Sequence, residues 1–185
     1  LCSGISYGLT GTRDPLENSL VLGFWVAFWM ATPMIQGYLF NLWGWLSPWQ
    51  WAVWPLTRLA ERPILPLSRR VGVWPAAFLL LGFSAFTLAD PAPDDPARLA
   101  KMISAYSLLT LAGIALTGPR RWLRQVEFFS ILMAQFSRLG LLARRGRRVR
   151  VGWPGWQLAS SASAFPGIPI FILVLLGTGS FDGFN

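Results

Sequence analysis

Histidine is absent from the 185 residues. The chain itself therefore offers no imidazole ligand for zinc, copper, haem or chlorophyll, and no histidine general base. Its one cysteine, Cys2, excludes an internal disulfide and a cysteine-built metal site. Charge is also scarce: sixteen basic and eight acidic residues make up 13% of the chain, against 54% hydrophobic residues. A soluble domain carries about 25% charged residues, so solvation by lipid is the simpler account of this composition. No acid falls in the middle of a long apolar run, which counts against an ion pump or an ion-coupled transporter.

What remains is apolar, Trp-rich and arranged in runs. Four runs have the length and composition of membrane spans, at residues 19–40, 71–89, 99–117 and 158–176. The first rises about 33 Å at about 1.5 Å per residue, enough to cross the hydrocarbon core. It contains Pro33, which is expected to kink the helix. Asp90-Pro91-Ala92-Pro93-Asp94-Asp95-Pro96 is a turn, and makes the second and third runs an antiparallel hairpin. Small residues Ser160 to Ala164 open the fourth, where close helix approach is expected. The fold class read from this pattern is all-α, a helical integral membrane protein of about four spans in a single membrane domain. The chain starts at Leu1 without Met and stops just past a helix exit, so it is expected to be part of a longer polypeptide that could supply further spans.

Charge sign follows the runs. Thirteen of the sixteen basic residues lie in the segments 58–70 and 120–150, whereas six of the eight acids lie in the other gaps. Retention of Lys and Arg on the cytoplasmic side orients the chain with the Arg-rich loops inside and the acidic loops periplasmic. A bacterial cytoplasmic membrane is the expected location. The net charge of +8 is assigned to anionic lipid headgroups and not to nucleic acid, because the Arg runs flank apolar spans and lack a nucleic-acid fold signature. Segments 41–70 and 120–157 are expected to be interfacial. In the second, residues 126–142 read as an amphipathic helix lying flat on the membrane, with Glu127 pairing to Arg120, Arg121 or Arg124. Arg144, Arg145, Arg147, Arg148 and Arg150 follow as candidate lipid-binding residues, with a solvated loop as the alternative reading.

Two other groups are candidate sites. Trp43, Trp45, Trp49, Trp51 and Trp54 are able to stack on a flat ligand such as a quinone or pigment, and the same residues suit interfacial anchoring. Asp14, Glu17 and Asp182 gather at span ends on the acidic side. They would suit a hard cation such as Ca²⁺ or Mg²⁺ if the first and fourth spans are neighbours, and otherwise are turn residues.

Several short motifs occur in order: Arg13-Asp14-Pro15-Leu16-Glu17-Asn18, then Leu42-Trp43 and Ser47-Pro48-Trp49, then Gly72-Val73-Trp74-Pro75-Ala76-Ala77, and last Ser180-Phe181-Asp182-Gly183-Phe184. With this order of elements the chain resembles a family of bacterial multi-span proteins commonly labelled fenitrothion hydrolase-like, whose members usually carry Asn at the position of Ser47. The resemblance implies a multi-span helical fold and, through the label, hydrolysis of organophosphate-type esters at the outer face. It brings no catalytic residue with it, and the cofactor is unknown. The residues themselves favour a scaffold or accessory subunit, packed against protein, lipid or pigment partners in a larger bioenergetic or photosynthetic assembly. An ester hydrolase and a part of a small-molecule transporter are the alternatives.

Overall fold

The computed structural model describes residues 2–51, 64–65, 67–145, 148–160 and 165–182, with backbone alone for 2, 144, 145, 181 and 182. The described residues are mostly helical, with two short strands. Helix α1 (Cys2–Thr10) leads through a turn to α2 (Ser19–Tyr38), and a short helix α3 (Trp43–Leu46) follows. After a 3₁₀ turn at Arg69–Val71 come α4 (Trp74–Ala89), α5 (Pro96–Thr117), α6 (Pro119–Gln125) and α7 (Phe128–Ser137). Strands β1 (Leu142–Arg145) and β2 (Arg148–Val151), α8 (Trp156–Ser160) and α9 (Ile168–Asp182) complete the fold.

Among the described residues two helices, α2 and α5, are long and apolar enough to cross a membrane, and only 17% and 28% of their most apolar stretches are buried. Neither helix is mostly buried. Helices α4 and α9 are apolar but shorter, at 16 and 15 residues.

Helix boundaries follow local chemistry. Asn18 is the N-cap of α2: its side-chain oxygen accepts from Leu20 N–H at 3.0 Å and its amide donates to Thr12 C=O at 2.8 Å, so a fully buried Asn is satisfied on both sides. Asp95 caps α5 by accepting from Arg98 N–H at 2.9 Å. The expected effect of Pro33 takes a particular form. Proline lacks an N–H and its ring clashes with the carbonyl four residues back. The turns just before it, Gly23–Ala31, widen into π-helix, and the Thr32 hydroxyl donates to Ala27 C=O at 2.8 Å.

Packing differs from a simple hairpin of neighbouring spans. Helix α4 lies against α9 and α7, whereas α5 lies against α1 and α6. Gly8 of α1 is the point of approach to α5: a Cβ there would meet Leu20 at 2.3 Å and Ala100 at 3.0 Å. Between α4 and α5 stands the start of α7. Its Phe128, Phe129, Ile131, Leu132 and Met133 are all buried in the main core with Val73, Leu80, Phe83, Ile114 and Phe171. The segment expected to lie flat as an amphipathic helix is thus a short interior helix. Its apolar face, Phe128, Phe129, Ile131, Leu132 and Met133, is turned into the core, and Ser130 and Ala134 lie on the less buried side.

Two further boundaries moved. The fourth apolar run is not one helix: residues 156–160 form α8, and α9 starts only at Ile168, after Gly167 at φ +90°. The Arg run forms an antiparallel hairpin pairing Leu142 with Val151 and Arg145 with Arg148. Leu141 and Leu142 donate to Tyr38 and Leu39 C=O at 3.2 and 3.0 Å, which ties the hairpin to the end of α2.

These hydrogen bonds sort the loops into two ends. Trp43 meets Ser130, Arg121 and Gln125 reach the carbonyls of Leu67 and Ser68, and Val73 N–H meets Pro166 C=O, so the end of α2, α3, α6 and the hairpin share one end. Arg69, Arg70, Arg120, Arg121, Arg124, Arg138, Arg148 and Arg150 are all there. Asp14, Glu17, Asp90, Asp94 and Asp95 are at the other. There the Arg98 guanidinium contacts Asp90 at 2.6 Å, the one ion pair among the described residues. The Ala92 N–H, ahead of Arg98, holds Asp90 below the usual carboxylate range.

Candidate functional site

The start of α7 carries the most unusual group in the chain. Glu127 is fully buried and acts as the N-cap of α7, accepting from Phe129 N–H at 3.2 Å and Ser130 N–H at 2.6 Å. The Tyr106 hydroxyl of α5 donates to the same carboxylate. Burial pushes the Glu127 pKa up, and hydrogen bonds from Ser130, Tyr106 and Phe129 partly oppose that shift. The expected pairing with Arg120, Arg121 or Arg124 is not formed: those guanidiniums are exposed on α6, while the carboxylate turns inward to donors that need no desolvated arginine.

From Glu127 a chain of polar groups runs through the aromatic core. Ser130 accepts the Trp43 indole N–H at 3.0 Å, and Trp43 N–H donates to the Gln36 side chain at 2.7 Å. Gln36, fully buried, donates in turn to Met133 C=O at 2.7 Å and to the Asn41 side chain at 3.1 Å. Each group fixes the next, so α2, the Trp-rich turn, α5 and α7 are held in one register.

This chain of bonds supports the inner wall of a cavity of about 700 Å³. Phe128 and Phe129, with centroids 4.1 Å apart, form its floor, and Tyr106, Phe83 and Phe28 stand edge-on or tilted against them at 4.9–5.7 Å. Trp43 and Trp49 close one side. The cavity separates α4 from α5 and opens past Phe78 and Leu109, which are exposed. Gly23 and Gly82 also line it, and a Cβ at either would meet nothing within 4 Å. The lining is almost wholly apolar. Such a space suits a lipophilic molecule by shape and dispersion.

The expected site residues fall as follows. Trp43 and Trp49 are in the core and face the cavity, whereas Trp45 and Trp51 are more than 70% exposed. Trp54 lies outside the described residues. Asp14 and Glu17 are exposed on the turn before α2, and Asp14 accepts from Leu16 N–H at 2.9 Å, the turn chemistry of an Asp-Pro segment. The side chain of Asp182 lies outside the described residues, and among those described no three of His, Cys, Asp or Glu gather as a metal-holding group. Arg148 and Arg150, two apart on β2, share an exposed face. Arg147 and the side chains of Arg144 and Arg145 lie outside the described residues. The residues carrying the family resemblance serve the packing: Asn18 caps α2, Gly72 takes φ +56° against Pro166, and Val73, Ala76 and Ala77 are core.

Reading the sequence alone missed Glu127 as a buried group. The available signal was its isolation: it is the one acid in 120–150, followed directly by two phenylalanines. No family model, curated protein or solved structure matches the chain.

Proposed function

We propose that this chain is an accessory subunit of the bacterial cytoplasmic membrane. In this reading α2, α4, α5 and α9 cross the bilayer, the arginine-bearing end faces the cytoplasm, and the cavity between α4 and α5 holds a lipophilic molecule. The ligand is an acyl or isoprenoid chain, or a flat ring such as a quinone or pigment. The observation that carries the proposal is the apolar cavity with its aromatic floor, held open by the polar chain from Gln36 to Glu127 and Tyr106.

Membrane embedding is supported by what α2 leaves uncovered. Leu22, Val26, Met30, Met34 and Tyr38 recur every four residues and are each between 42% and 73% exposed, an apolar stripe running the length of the helix. In water, a contiguous patch of this kind marks a surface that needs a partner or lipid. The partition of arginines and acids to opposite ends supports the orientation. At about 1.5 Å per residue α4 and α9 are somewhat short for a bilayer, a mismatch that tilt, local thinning and flanking anchors absorb.

The test is photo-crosslinking of the full chain in bilayer discs with an acyl chain carrying a diazirine, followed by peptide mapping. Label in the peptides bearing Met102 and Phe128 is expected, and Gly82→Leu should abolish it there. Labelling confined to the outer face of α2, unchanged in Gly82→Leu, would refute cavity binding.

A further inference from the structure

A second cavity, of about 780 Å³, lies behind Trp43 at the arginine-bearing end, between α3, α6, α7 and the start of α9. Its chemistry is opposite to that of the first. Arg120 and Arg124, one turn apart on α6, stand at it, and neither has an acid partner among the described residues. The nearest acid in sequence, Glu127, is turned away into the core and committed to Tyr106 and the α7 backbone. Gln50 and Gln135 add amide groups.

The second, independent observation is Ser47. It lines the same cavity at 1% exposure, and its buried hydroxyl has no hydrogen-bond partner among the described residues. Buried hydroxyls are nearly always paired, so an unpaired one beside two guanidiniums with no acid partner among the described residues is a donor set lacking its acceptor. The remaining wall is apolar, from Ile131, Phe165 and Ile168. One side thus suits a charged oxygen-rich group and the other a hydrocarbon tail.

We propose that this cavity binds a phosphate ester, with Arg120 and Arg124 contacting the phosphate oxygens and the Ser47 hydroxyl donating to one of them. The apolar wall favours an anionic phospholipid as the source, and a free phosphorylated compound shares the same headgroup chemistry. This site is separate from the lipophile cavity and does not depend on it. Trp43 is the wall common to both.

The experiment is titration of the full chain, purified in a neutral detergent, with dihexanoyl phosphatidylglycerol and separately with inorganic phosphate, followed by microscale thermophoresis. Saturable binding of the lipid is expected, weakened by about tenfold or more in the double variant R120Q/R124Q. Ser47→Ala, which removes only the hydroxyl, should weaken binding several-fold with an unchanged unfolding midpoint. R148Q/R150Q, which removes the same charge from the hairpin, should bind as the wild type does. Lipid binding that phosphate fails to displace identifies the lipid as the source, and displacement by phosphate identifies a free phosphate compound. Equal weakening in R148Q/R150Q and R120Q/R124Q would overturn the proposal in favour of diffuse charge attraction. So would saturable binding of neither probe, or wild-type affinity in Ser47→Ala.

Discussion

Replacing Glu127 by alanine removes the acceptor for three donors at once: the N–H groups of Phe129 and Ser130 and the Tyr106 hydroxyl. A buried donor left unpaired costs about 1–3 kcal/mol. The phenol hydroxyl is able to rotate toward Thr110, and the two N–H groups overlap with the loss of an N-cap, itself worth about 0.5–2 kcal/mol. Against this stands the relief of burying a carboxylate, whose raised pKa shows that desolvation outweighs its hydrogen bonds. The net expectation for Glu127→Ala is a loss of about 2–4 kcal/mol. Glu127→Gln keeps one acceptor oxygen, enough for Phe129 N–H and the Tyr106 hydroxyl, and leaves Ser130 N–H unpaired, so it should lose about 1–2 kcal/mol, less than the alanine variant. The pH dependence follows from linkage. A carboxyl whose folded pKa is raised binds its proton more tightly when folded, so its stabilising contribution is full below the ordinary glutamate value and is lost as pH rises through the folded value. Wild-type stability should therefore fall across that window relative to Glu127→Gln. The assay is reversible unfolding in mixed micelles with increasing dodecyl sulfate, followed by far-ultraviolet circular dichroism. Equal losses in the Ala and Gln variants, or a loss in Ala below about 0.5 kcal/mol, would refute the reasoning.

Other positions give independent checks. Gly113→Ala places a Cβ 2.3 Å from the Trp122 ring and should cost about 1–3 kcal/mol in the same assay, by forcing α6 off α5. Gln36→Leu leaves the Trp43 N–H without its acceptor in a buried site, and is expected to lose about 1–3 kcal/mol and to alter the near-ultraviolet signal of the tryptophans. With Cys2 changed to Ser, single cysteines replacing Asp14 and Arg148 should react with an impermeant maleimide from opposite sides of sealed vesicles. Reaction of both from one side would contradict the proposed orientation.

Much of the fold is written in apolar periodicity and turn chemistry. Ser19 to Tyr38 and the Asp90–Pro96 turn were legible because a long uncharged run and a Pro-rich acidic gap have few alternative readings. The division of arginines from acids was equally legible. What the sequence hid was tertiary. Trp43 and Trp49 are core while Trp45 and Trp51 are exposed, yet all four share one local composition, and only the packing of α7 separates them. Glu127 read as exposed because arginines surround it in sequence. It is buried because the two phenylalanines after it are drawn into the core and pull the cap with them. The period-two alternation Arg148-Val149-Arg150-Val151 is the signal of the strand, and the density of arginine in the run hid it. The second cavity was invisible for a related reason. Ser47 is more than seventy residues from Arg120 and Arg124 in sequence and meets them only when the Trp-rich turn folds back against α6 and α7.

The most direct measurement of the central claim is the lipophile content of the purified chain. Wild type, Gly82→Leu and Gly23→Leu are extracted with organic solvent and the extracts quantified by mass spectrometry against protein, alongside the unfolding midpoint of each. Both glycines face the cavity with open space beyond, so leucine should fill it without strain, leaving the midpoint unchanged or raised. The account predicts about one retained lipophile per chain in the wild type and its loss from both filled variants. Equal lipophile content in all three proteins, with the variants stably folded, would contradict it.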